Sequence, residues 1–105
     1  MTHNSPYFRF PFSEKPFFKE EPRDVTVLVG ESAIFNCGVD GIPTPSIDWY
    51  RQDAQMPKDR AERIVGGLKI RDARPEDEGL YFCQSSNELG SVRASASLSV
   101  HCKPL

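Results

Sequence analysis

Apolar and polar residues alternate one by one along most of this chain, which is the side-chain period of β-strands. From Ser32 to Gly38, Ala33, Phe35 and Cys37 fall on one side and Ile34 and Asn36 on the other. Ile47 and Trp49 oppose Asp48 and Tyr50, and Tyr81 and Cys83 oppose Leu80 and Phe82. From Ser91 to Val100, Ala94, Ala96, Leu98 and Val100 point inward while Arg93, Ser95, Ser97 and Ser99 point outward. Pro16 to Pro22 reads as an edge strand, since Pro cannot donate to a ladder, and Val25 to Val29 continues it. Residues 60–65 and 68–70 form a short pair around Gly66-Gly67, read as the turn. Gly30-Glu31 and Asn87 to Gly90 are turns, and Gly41 to Pro45 is a loop stiffened by its prolines. Eight or so short strands without helical periodicity predict an all-β sandwich.

Length and composition narrow this further. The chain has 105 residues, 27% charged and 10% aromatic, which suits one globular domain and excludes a disordered or fibrous chain. Its formal net charge of −2 supplies no field for gathering nucleic acid or anionic lipid. No apolar run is long enough to cross a bilayer, so membrane insertion is not expected, and the N-terminus lacks the basic and apolar regions of a signal peptide. Residues 1–15, with Tyr7, Phe8, Phe10 and Phe12 among prolines, are expected to be a linker before a domain spanning 16–101, with 102–105 a second linker.

Few residues invite catalytic chemistry. There is no nucleophile elbow, no Gly-rich phosphate loop and no metal-spaced cluster, and His3 and His101 stand apart from other ligating residues except for Cys102 beside His101. An enzyme is not expected, nor a cofactor or metal. Asp77 is a carboxylate in an acidic turn, for which a structural role is expected.

The motifs are more specific. Cys37 precedes Cys83 by 46 residues, with Trp49 between them. Gly41-x-Pro43-x-Pro45-x-Ile47-x-Trp49, Leu68-x-Ile70, Asp77-x-Gly79-x-Tyr81-x-Cys83 and Asn87-x-x-Gly90 together resemble the I-set immunoglobulin family. The resemblance implies two antiparallel sheets joined by a Cys37–Cys83 disulfide, with Trp49 packed on the sulfurs. It makes Tyr81 a tyrosine corner whose hydroxyl bonds upstream backbone. It also implies an ion pair for Asp77, with Arg60 and Arg63 both candidates. Cys102 then remains as an unpaired thiol, expected to be exposed.

Within that family, Phe18-x-x-x-Pro22-x-Asp24-Val25-Thr26-Val27 and the ending Arg93 to Val100 resemble ectodomain repeats of roundabout-type axon-guidance receptors and related neural adhesion proteins. The resemblance implies a non-catalytic recognition or spacer domain outside the cell, contacting a protein ligand or a second copy of itself, with neighbouring immunoglobulin domains in its own chain. The alternative is an intracellular module of a giant muscle or cytoskeletal protein, cytoplasmic and reduced. Asp48, Tyr50, Phe82, Gln84, Arg93 and Ser95 are expected on one outer face, and Tyr, Phe and Arg are residue types that anchor interfaces. A second surface, Lys58, Arg60, Arg63, Lys69, Arg71 and Arg74, is a candidate for weak sulfated-glycan contact. It is interleaved with Asp59, Glu62, Asp72 and Glu76.

Overall fold

Strand pairing begins where the alternation is cleanest. The structure, a computed structural model, describes residues 12–102. It contains β1 (Glu14–Glu20), β2 (Val25–Leu28), β3 (Ala33–Asn36), β4 (Gly38–Ile42), β5 (Ser46–Arg51), β6 (Ala61–Ile64), β7 (Gly67–Ile70), β8 (Gly79–Asn87) and β9 (Gly90–His101). A 3-10 turn, Pro75–Asp77, precedes β8. One layer is the four-stranded sheet β2-β9-β8-β5. The other is made of β3-β7-β6 and the pair β1-β4, which continue into one another because only Cys37 separates β3 from β4.

All pairings are antiparallel except β2 with β9, which run parallel from Val25↔Leu98 to Leu28↔His101. The expectation of antiparallel sheets thus needs this one amendment. The break after β1 carries the chain from one layer to the other, so the first two strands belong to different sheets and do not form one continued strand.

Between the layers lie Phe35, Leu68, Ile70, Tyr81, Leu98 and the Cys37–Cys83 disulfide, all essentially buried. Trp49 is 9% exposed and pairs in register with Cys83, which sets it in the same cluster as the disulfide. The Phe35 ring lies 6.2 Å from that of Trp49 and 5.4 Å from that of Tyr81. Closing a loop of 46 residues contributes about 4 kcal/mol in the chain-entropy account of cross-links.

Four boundaries differ from the sequence reading, and the first is that pairing runs on past Gly38 as β4 to Ile42, taking Gly41 and Ile42 out of the loop. The first strand starts at Glu14, two residues before Pro16, because its extent follows its pairing with β4 (Glu14↔Ile42) and not its own alternation. β8 runs past Ser85 to Asn87, leaving Glu88-Leu89 as the connection to β9. Gly67 is no part of the turn: it opens β7, paired with both Asn36 and Ile64, and the turn is Val65-Gly66. A Cβ on Gly67 would lie 2.1 Å from the Phe35 carbonyl oxygen, so only glycine permits this approach of β7 to β3.

Candidate recognition face

Two constellations of polar and aromatic side chains stand out, one inside the sandwich and one on its surface. The inner one closes the turn before β8. The Arg60 guanidinium donates to both oxygens of Asp77, at 2.7 and 2.7 Å, and the Arg74 backbone N–H donates to Oδ2 at 2.8 Å. Arg60, just before β6, is thereby the partner of Asp77. Burial alone would raise the Asp77 carboxyl; the bonds from Arg60 and Arg74 outweigh it and hold the group below the usual carboxylate range. The Tyr81 hydroxyl donates to the Asp77 carbonyl at 2.6 Å, the bond expected of a tyrosine corner, and burial pushes its phenol up to about 12. Gly79 has φ +150°, with the Arg51 guanidinium 3.6 Å from where a Cβ would stand. Arg51 itself, which the sequence reading passed over, donates to the carbonyls of Glu76 and Glu78 and lies 5.5 Å from the Tyr81 ring centroid. The Asp77 carboxylate, the Tyr81 hydroxyl and the Arg60 and Arg51 guanidinium groups are all engaged by the chain itself, so the assembly is a structural clamp.

Arg63 takes a different partner. It donates to Asp48 at 2.8 Å and to the Ile47 carbonyl at 2.7 Å, joining β6 to β5 along the open side of the sandwich. Of the basic surface set, Arg71 lies 3.5 Å from Glu62 and Arg74 lies 3.3 Å from Asp72, while Lys58 and Lys69 are in no ion pair among the described residues. Charges neutralised so locally make little positive field.

The outer constellation sits on β5, β8 and β9. Registers Tyr50↔Phe82 and Asp48↔Gln84, with Phe82↔Ser95 and Gln84↔Arg93, put all six expected side chains on adjoining positions of one sheet face. The rings of Tyr50 and Phe82 stack at 5.1 Å with 8° between planes. The Arg93 guanidinium lies 4.7 Å from the Phe82 centroid, within cation–π range, and its Nη1 donates to the Tyr50 hydroxyl at 2.9 Å. The Tyr50 hydroxyl donates in turn to Gln84 Oε1 at 3.2 Å. Tyr50, Phe82 and Gln84 are half-buried by one another, while Asp48, Arg93 and Ser95 are exposed. Asp48 sits apart from this lock, turned to Arg63 at the edge.

Elsewhere, Asn87 clips three segments together: its side-chain amide donates to the carbonyls of Glu14 (2.8 Å) and Pro43 (3.0 Å), and its Oδ1 accepts from Leu89 N–H at 2.8 Å. Cys102 is exposed and outside the disulfide. Among the described residues no group of three or more His, Cys, Asp or Glu is placed to hold a metal ion, and no helix is long and apolar enough to cross a membrane.

The Immunoglobulin I-set domain family model matches residues 16–100 of this chain. The chain belongs to the immunoglobulin I-set family. Over 98 residues it is 43% identical to protein sax-3 of Caenorhabditis elegans, covering 91% of this chain and 8% of that protein. Over 92 residues it is 39% identical to Roundabout homolog 1 of Homo sapiens, covering 87% of this chain and 6% of that one. The chain thus spans less than a tenth of the length of these relatives. Among solved structures, the titin M3 domain superposes with a TM-score of 0.78 at 30% identity, covering 85% of this chain and 99% of that domain.

Proposed function

We propose that this I-set domain is a non-catalytic protein-recognition module of a cell-surface receptor or adhesion protein of the roundabout-like, axon-guidance kind. Its contact surface is the outer face of β5, β8 and β9, with Tyr50, Phe82, Gln84 and Arg93 at the centre and Asp48 at the rim. The observation that carries this reading is the Tyr50–Phe82–Arg93 stack. It is a rigid aromatic and guanidinium surface already assembled in the isolated chain, so little ordering remains to be done on binding. None of its members belongs to the buried cluster that holds the sheets together. The identity to sax-3 and Roundabout homolog 1 supports the receptor setting, and so does the disulfide, which persists in oxidising compartments. Likeness to titin M3 concerns the fold, which receptor and filament modules share. Given the length of its relatives, neighbouring immunoglobulin domains are partners of this one within a single chain.

The test is a Tyr50→Ala/Arg93→Glu variant, presented as a multimer alongside wild type to a panel of purified receptor ectodomains that includes this chain itself. The variant is expected to keep its thermal midpoint within about 5 °C, since it loses surface contacts only. Its binding to any ectodomain captured by wild type should fall at least about 30-fold, the loss typical of a single hot spot. Equal binding by the two proteins would remove this face and leave the domain a spacer.

A further inference from the structure

The hydrogen bonds on the outer face run in one direction, and that direction says what a partner must bring. Arg93 can only donate, so the Tyr50 oxygen it touches accepts, and the single Tyr50 proton is left to point at Gln84. That fixes Gln84 with its carbonyl oxygen toward Tyr50 and its NH2 group turned away. Arg93 uses one N–H group in this chain of bonds, and its remaining N–H groups and the Gln84 NH2 have no acceptor among the described residues.

Three of the acidic groups bordering the same sheet are occupied, while Glu88, in the connection between β8 and β9, is exposed. Asp48 accepts from Arg63 at 2.8 Å, Asp24 from the Ser97 N–H at 2.9 Å, and Glu78 from the Val100 N–H at 2.8 Å. Around Arg93 itself, β9 offers serines at its outward positions, Ser91, Ser95, Ser97 and Ser99, with His101 at the far end of the strand. The face therefore presents one cation and a set of unused donors, beside the edges of two stacked rings.

We propose that the anchor received by this face is a carboxylate, an Asp or Glu side chain of a protein partner, bound by the free N–H groups of Arg93 and the Gln84 amide. The inference rests on the outer face being the contact surface. An Arg already held flat by a ring and a hydroxyl has little freedom left to lose when its open N–H edge meets a carboxylate, and such charge-assisted pairs are the strong ones. The carboxylate's aliphatic stem lies against Tyr50 and Phe82. A second copy of this chain fits less well, because its exposed carboxylate on this face, Asp48, would have to leave Arg63. A sulfated glycan fits less well too, since a polyanion needs a run of cations and this face has one.

The experiment titrates the whole 15N-labelled chain with two synthetic peptides, N-acetyl and C-amide capped: Gly-Asp-Leu-Asp-Gly and its isosteric Gly-Asn-Leu-Asn-Gly. The Asp peptide is expected to shift the Arg93 Nε–H and Gln84 Nε2–H signals. Arg93→Gln should weaken that binding about tenfold and Arg93→Lys by less, since Lys keeps the charge without the fork. If the Asn peptide moves the same signals as far, carboxylate recognition is refuted while the face keeps its role. If neither peptide moves them, the carboxylate is refuted, and the ectodomain panel decides separately whether the face binds anything. Two other outcomes overturn the proposal: tighter binding of a heparin-derived tetrasaccharide that Arg93→Gln abolishes, or a dimer in sedimentation that Arg93→Glu breaks and mixing with Asp48→Arg restores.

Discussion

Asp77 accepts three hydrogen bonds while 2% of its side chain is exposed, and this makes it the most consequential single carboxylate in the molecule. Removing it leaves Arg60, itself only 14% exposed, bonded to the Arg71 and Asp72 carbonyls but without its counter-charge, a change that typically costs about 3–5 kcal/mol. Asp77→Ala should lower the urea midpoint accordingly, and an unchanged midpoint would show the clamp to be dispensable. The pH dependence has a definite sign. A carboxyl held below its ordinary value in the folded state binds fewer protons there than in the unfolded chain, so stability rises with pH across that interval. Its contribution is complete above the ordinary carboxylate value and is lost as pH falls through the folded one. Urea titrations between pH 2 and about 5 should therefore show wild type losing stability more steeply than Asp77→Ala. At this scale the family resemblance implied that Asp77 would be paired, and left Arg60 and Arg63 both as candidates. Arg60 and Arg63 are three residues apart on one short segment, and only the register of β6 on β7 sends the first to Asp77 and the second to Asp48.

Elements were legible where one face is apolar and the other polar. The alternation at 33–37 and 94–100 is strong because each strand has the core on one side and water on the other. It failed where a strand owes its extent to a partner. β1 contains Lys15, Pro16 and Lys19 and shows weak alternation, so its start at Glu14 is set by β4. The parallel docking of β2 on β9 joins segments more than seventy residues apart, which no local pattern reports. Gly67 resembled a turn residue because Gly-Gly usually is one; its actual reason is the Phe35 carbonyl beside it. Gly67→Ala should therefore destabilise by about 3 kcal/mol, the upper end for overpacking, and speed amide exchange along β7. A variant with the wild-type thermal midpoint would contradict the close approach. The outer face follows the same division. Period two sorted Tyr50, Phe82, Gln84 and Arg93 away from the core, but their mutual lock depends on registers between residues 50 and 82 and between 84 and 93.

At the scale of the whole molecule, a sandwich stapled across its core by a disulfide leaves the outer face of β5, β8 and β9 as the proposed surface for a protein partner. The staple bears on the setting, because disulfides persist in oxidising compartments and are rare in the cytosol. The decisive measurement is the redox state of these two residues in protein taken from its native compartment. Thiols are blocked with one alkylating reagent before denaturation and reduction, then labelled with a second, and the peptides are weighed by mass spectrometry. Cys37 and Cys83 are expected to carry only the second label. Both carrying the first label would contradict the extracellular recognition role and point to a reduced intracellular module.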